Sequence, residues 1–334
     1  MLATLLIGVP AAWASLAIWF QAPRGPLLKP LLVMSWLAFS AAILTALWHG
    51  RLGAAVPMFS AGFGAVLLWW WRIRPTDDGL WADDVARITN GTIEGTRVTF
   101  RNVRNFDWRG NDDYTQRWET RVYDLNGLNS VDMVMSYWAG KAIAHMLVSF
   151  GFDDGQRVAF SVEVRREKDN AYSEIGGFFK RYGLCIIAAD ERDVIRVRTN
   201  IRGEDDYLYR IRMPPAAMRS LFAGYVKQAG ELVDAPRFYN TLTVNCTTLV
   251  YHMMKRIVGY LPWSYRLLLT GYLPEYVYRV GGLDQRYTLE ELRALGRITE
   301  RARLSDRSAG FSADIRRGIP TLDPEPAAPG ADRT

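Results

Sequence analysis

No aspartate or glutamate occurs before residue 77, and within that stretch three apolar runs, over 2–20, 31–48 and 53–71, are interrupted only by Arg24, Lys29 and Arg51, with Arg72 and Arg74 following the third. Each run has about the 17 to 25 residues that a helix needs to cross a hydrocarbon core of about 30 Å. Three transmembrane helices over 1–74 are therefore expected.

A cleaved signal peptide is the alternative for the first run, but it calls for a charged start and a shorter apolar core. Met1 is followed directly by apolar residues, and two further runs come after. Trp69, Trp70 and Trp71, then Arg72 and Arg74, read as a span leaving the bilayer, where aromatic rings settle and arginine snorkels. Charge bias is divided. Arg24 and Lys29 in the first loop and Arg72 and Arg74 after the third span all favour the cytoplasm, and by a margin of one or two residues the large domain would be cytoplasmic.

From residue 77 the composition is that of a soluble domain. All 35 acidic residues lie there, against 36 of the 41 lysines and arginines, so five of the six net positive charges belong to the membrane segment. That balance excludes a basic nucleic-acid surface. Alternating β-branched and aromatic residues predict strands over 95–109 and 118–123, and a β-hairpin over 142–152 and 157–166 around the turn DDGQ. Further strands are expected over 184–188, 194–198 and 207–213. Residues 214–230 carry Met218, Leu221, Phe222 and Val226 on one helical face, and another helix begins at Cys246. Strands followed by helices predict an α+β domain over 77–318. Residues 261–278, LPWSYRLLLTGYLPEYVY, are aromatic and Pro-broken, fit for core or for the bilayer surface. Residues 289–303 read as one charged amphipathic helix, and 319–334 as a disordered tail. Arg101, Arg104 and Arg109 read as a solvated strand face, and Asp193 and Arg196 as surface pairs of little worth.

Two cysteines and three histidines, without CxxC or HxxxH, argue against a metal site, and the absence of Walker A and GxGxxG patterns removes the usual phosphate and dinucleotide readings. No cofactor is expected. A Cys–His pair remains. In YNTLTVNCTTLV, Asn245 caps a helix and Cys246 lies in its first turn, where free N–H groups and the helix dipole favour a thiolate; Thr247 and Thr248 add hydroxyls at the same end. Cys185, in GLCIIAAD, reads as strand packing. His49 ends a membrane span. His252 lies six residues after Cys246, roughly 240° around the axis at about 100° per residue, and cannot face it. His145, on the predicted strand AIAHMLVSF, is the partner left. The competing reading makes Cys246 a small core residue.

The runs VRNFDWR, VYDLNGLNSVDMVMSYW, IAHMLVSFGFDDGQRVAFSVEVRRE, ADERDVIRVRTN and YNTLTVNCTTLV resemble the Lnb N-terminal periplasmic domain, over about 83–318. That family resembles permuted papain-like enzymes and is associated with N-acylation of bacterial lipoproteins. The resemblance implies a circularly permuted papain-like domain, similar to cell-wall amidases and lecithin:retinol acyltransferases, in which histidine precedes cysteine. It makes Cys246 the nucleophile and His145 the general base. Glu163, on the strand paired with that of His145, is the candidate orienting residue, although a DDGQ turn in simple register would set Val164 opposite His145, and a one-residue bulge would be needed to bring Glu163 round. Backbone N–H groups at the helix start, around Asn245, Cys246 and Thr247, are the candidate oxyanion donors.

The resemblance also implies a multi-pass protein of the bacterial inner membrane with a periplasmic domain, against the weak charge bias. Its implied chemistry is acyl transfer from a membrane lipid through a Cys246 thioester to a lipoprotein amino terminus. A thiol hydrolase or peptidase of the cell envelope would use the same pair, and a non-enzymatic membrane scaffold would leave the thiol inert.

Overall fold

The three apolar runs are helices. In the computed structural model of the chain, which describes residues 2–322 apart from 24, 26, 169 and 171, α1 spans Leu2–Gln21, α2 Leu28–Trp48 and α3 Leu52–Arg72. Each is long and apolar enough to cross a membrane. Lipid gives apolar helices no hydrophobic reason to associate, so close packing has to hold them. Ala11, Ala14 and Ala55 are buried beside Trp36, Ile43 and Phe59, and the Trp36 indole donates to the Ala11 carbonyl at 3.0 Å. A Cβ on Gly62 would stand 2.9 Å from the Phe39 ring. Leu5, Leu6, Val9, Leu31 and Met34 point outward.

The chain divides into two compact units, the first being Met1–Gly79 with Asp169–Gly183 and Pro236–Thr241. Within it, Lys180 donates to the Trp70 carbonyl at 2.8 Å, placing a cation where the dipole of α3 favours one. Gln21 Nε2 donates to the Phe179 carbonyl at 2.7 Å. Arg24 and residues 323–334, most of the tail expected to be disordered, lie outside the described residues.

The second unit is an α+β fold. Its strands are β1 (Asn90–Glu94), β2 (Arg97–Arg104), β3 (Asp107–Trp108), β4 (Tyr114–Thr115), β5 (Trp118–Asp124), β6 (Leu128–Tyr137), β7 (Ala144–Phe152), β8 (Arg157–Arg165), β9 (Gly183–Ala189) and β10 (Asp205–Arg210). The main sheet runs β1-β2-β9-β8-β7-β6-β10, with β5 also on β2, and β3 and β4 form a separate pair. One face carries Phe100, Phe150 and Phe160, which pack edge-to-face on Phe222 of the long helix Pro215–Asp234. The other face carries Val134, Leu147, Ala159, Ile187 and Leu208 in a core closed by Ile298, Ala302 and Phe311.

Several expectations change. Residues 194–198 are not a strand: α4 (Glu191–Val194), capped by Asp190, is followed by a π-helical turn, Val197–Ile201. A β-branched run buried on every side is compatible with either structure, and the Asp190 cap, which accepts from the Arg192 N–H at 2.9 Å, decides it. Arg104 is not solvated but buried, and its guanidinium grips Asp193 at 2.9 and 3.1 Å. Asp193 and Arg196 are buried too. Arg101 and Arg109 are exposed as expected.

In chain order, α5 is Pro215–Asp234, α6 Cys246–Val258, α7 Leu273–Arg279, α8 Leu289–Gly296, α9 Thr299–Ser305 and α10 Phe311–Asp314. The single helix read over 289–303 is thus two, α8 and α9. At the break the Ile298 N–H donates to the Asp206 carbonyl at 2.9 Å, and a Cβ on Gly296 would stand 2.6 Å from the Leu208 carbonyl oxygen. The interruption lets the chain cover β10, the edge of the sheet. Residues 261–278 pack as core through Leu267, Leu273 and Tyr276, with Trp263 and Tyr265 exposed.

Candidate functional site

Helix α6 starts where its sequence says it should. Asn245 Oδ1 accepts from the N–H groups of Thr247 and Thr248, both at 2.9 Å, and Thr248 Oγ1 accepts from the Asn245 N–H at 2.9 Å. This reciprocal capping box holds Cys246 at the first helical position, with only 6% of its surface exposed. The cap also corrects the expected oxyanion donors. The Thr247 N–H is spent on Asn245, and of the first three N–H groups of α6 the Asn245 side chain leaves that of Cys246.

His145 comes from β7, whose hairpin with β8 sets what stands beside it. The turn is Asp153-Asp154-Gly155, one residue shorter than DDGQ: Phe152 N–H donates to the Gln156 carbonyl at 3.1 Å, and Gly155 takes the left-handed φ of 83° that ends three-residue hairpin loops. The ladder from Gly151↔Arg157 to Leu147↔Ser161 follows. Continued by two residues, it sets Glu163, not Val164, opposite His145. No bulge is needed.

The imidazole is held from both sides. Its Nε2 lies 2.6 Å from Ser161 Oγ and 3.4 Å from Glu163 Oε1, and Ser161 Oγ donates to the same Glu163 oxygen at 2.5 Å. With the hydroxyl hydrogen committed to Glu163, Nε2–H donates to Ser161. The ring also acts electrostatically on the Cys246 thiol. The backbone N–H of Met146 and the hydroxyl of Thr247, 3.9 Å away, also face the sulfur.

These contacts favour an ion pair. Burial opposes charge on Cys246, but His145, with the Met146 N–H and Thr247, brings the thiol below its ordinary value. Burial and Arg198 act to lower His145, yet Glu163 and the sulfur prevail and raise it to about 9. Burial pushes Glu163 up, but His145, Arg198 and Ser161 hold it well below the usual carboxylate range.

The other candidates separate cleanly. Cys185 is fully buried, 3.6 Å from the Glu163 carbonyl, and burial raises its thiol out of reach of ionisation. His252 is exposed against Tyr251, and His49 is exposed with Nδ1 2.8 Å from the Thr45 carbonyl. Ser161 and Arg198 had escaped the sequence reading. Ser161 was legible in principle, since it stands two residues before Glu163 and so shares its strand face. Arg198 was hidden because its segment reads as a strand.

Near the pair lies an apolar cavity of about 500 Å³, lined by Thr247 and Met146, the chain neighbours of Cys246 and His145, which are not themselves among its lining residues. Val250, Tyr251, Met254 and Val258 also line it from one face of α6, and Val148 from β7. Residues 261–282 close it with Leu267, Leu273, Tyr276 and Val277. That wall is fastened to the start of β7, where Thr270 Oγ1 accepts from the Ala144 N–H at 3.0 Å and donates to the Ala144 carbonyl at 2.5 Å.

Residues 114–271 match the Lnb N-terminal periplasmic domain. No curated protein and no solved structure matches the chain. The matched stretch is shorter than the resemblance over 83–318, but it contains His145, Ser161, Glu163, Arg198 and Cys246. Three helices of the chain are thus long and apolar enough to cross a membrane, and residues 114–271 resemble the Lnb N-terminal periplasmic domain.

Proposed function

We propose that the protein is a membrane-anchored thiol acyltransferase that N-acylates bacterial lipoproteins at the periplasmic face of the inner membrane, on a permuted papain-like domain. The observation that supports this reading is the apolar cavity lined by Thr247 and Met146, the chain neighbours of Cys246 and His145: a peptide or glycan substrate would call for polar walls, whereas an acyl chain is matched by Val, Met, Leu and Tyr side chains. His145 holds Cys246 as the thiolate, which attacks an ester carbonyl of a membrane lipid. The Cys246 N–H faces the developing oxyanion at the helix start. The ester C–O bond breaks, the alcohol leaves with a proton from His145, and a thioester remains. The amine of a diacylated amino-terminal cysteine then attacks the thioester, His145 takes its proton, and amide and thiolate result.

Expression of wild type and Cys246→Ala in a strain lacking its own lipoprotein N-acyltransferase tests this directly. Mass spectrometry should find acylated lipoprotein amino termini with wild type only. Unacylated termini with both would overturn the reading, and release of free fatty acid by wild type in their place would make the protein a thiol hydrolase.

A further inference from the structure

The side chains behind Glu163 are charged in alternation. Arg198, 6% exposed on the π-helical turn, donates from Nη2 to Glu163 Oε1 at 3.0 Å and from Nη1 to Glu204 Oε2 at 3.3 Å. Glu204 also accepts from Ser136, whose hydroxyl lies 2.5 Å from Asp206 Oδ1. Ser136 pairs with His145 across β6 and β7, and Asp206 pairs with Ser136 across β10 and β6. One row across the sheet therefore reads Asp206, Ser136, His145 and, by the continued register, Glu163. Ser136 has a single hydrogen for two acidic groups, and Asp206 is fully buried with Oδ2 unpartnered among the described residues. Burial raises Asp206 to about 7, which favours its acid form, and in that form it donates to Ser136, leaving the Ser136 hydrogen for Glu204. From thiolate to Glu204 the charges then run negative, positive, negative, positive, negative. Arg202 also faces Glu204, at 4.0 Å.

The geometry points to Arg198 as a positioning residue: its guanidinium, held by Glu204, fixes the Glu163 carboxylate on Ser161 and His145 and so sets the orientation of the imidazole toward Cys246. Arginine suits the task because its planar fork spans two carboxylates at once, which a lysine ammonium cannot do with the same geometry. The π-turn supplies the placement, since the extra residue in the turn re-aims the side chain relative to an α-helix. This deepens the proposed function and rests on its ion pair, but not on acyl transfer.

The test is the rate of Cys246 carboxymethylation by iodoacetamide in the full-length protein in detergent, from pH 5 to 10, read by mass spectrometry on the Cys246 peptide. Wild type should react below the ordinary thiol value of about 8.5. Arg198→Lys, which keeps the charge, should lose about tenfold or more in rate at pH 6.5 and shift the profile upward, and Glu204→Gln should shift it in the same direction. Wild-type profiles in both variants would overturn the role of Arg198; should Arg198→Lys not fold, Glu204→Gln decides alone. A wild-type profile centred near 8.5 would instead overturn the ion pair itself.

Discussion

Glu163 stands 3.4 Å from His145 Nε2, and Ser161 Oγ bridges the two at 2.5 and 2.6 Å. The carboxylate thus acts on the ring both directly and through a hydroxyl that fixes its rotation. A charged His145 and a charged Glu163 each stabilise the folded site, over different pH ranges.

His145 is raised from about 6.5 to about 9, so its contribution to stability is full below about 6.5 and disappears as pH rises through 9. Glu163 is depressed, so its contribution is present above about 4.3 and is lost in acid, as pH falls through its lowered value. The melting-temperature gap between wild type and His145→Ala should therefore narrow from pH 7 to pH 9.5, and that between wild type and Glu163→Gln should narrow from pH 5 downward. A gap independent of pH would contradict the charged pair.

Asn245 caps α6 through both Thr247 and Thr248. Asn245→Ala should cost about 1 kcal/mol of stability, within the usual 0.5–2 for a lost cap, and should slow Cys246 alkylation by loosening the turn that holds the thiol. Denaturant unfolding and the alkylation rate measure the two effects separately.

Val250 lines the cavity one turn beyond Cys246. Val250→Trp should leave iodoacetamide reactivity unchanged while cutting thioester formation from long-chain lipid donors about tenfold or more, since a few methylenes without a place are worth that much. Equal loading of short and long chains by the variant would remove the cavity from the mechanism.

Asp193 accepts from Arg104, from the Phe106 N–H at 2.9 Å and from Trp108 Nε1 at 2.8 Å. Asp193→Ala strands a buried guanidinium and should cost about 3–5 kcal/mol, seen as a large fall in melting temperature. Protein that remains folded should keep the wild-type alkylation profile, because none of these groups touches the thiol.

Gly271 permits the closest approach in the wall of the cavity, where a Cβ would lie 2.1 Å from the Lys141 carbonyl oxygen. Gly271→Ala should destabilise the domain by about 1–3 kcal/mol and weaken long-chain thioester formation more than alkylation. Unchanged stability and loading would show that the wall moves freely away from β7.

The amino-acid sequence determined the three long apolar helices, because uninterrupted apolar runs of that length are legible residue by residue, and it determined the start of α6, because a cap is decided within four residues. Helix geometry alone set His252 aside. The tertiary structure decided the rest. Whether Glu163 or Val164 faces His145 turns on one residue of loop length, which Gly155 settles through its left-handed backbone. Whether 194–198 is strand or helix turns on burial from every side, which erases the periodicity that distinguishes them. Arg198, Ser161 and the cavity exist only once β6, β7, β8, β10 and α6 are packed together, since their contacts join residues far apart in the chain and no local pattern encodes such distances.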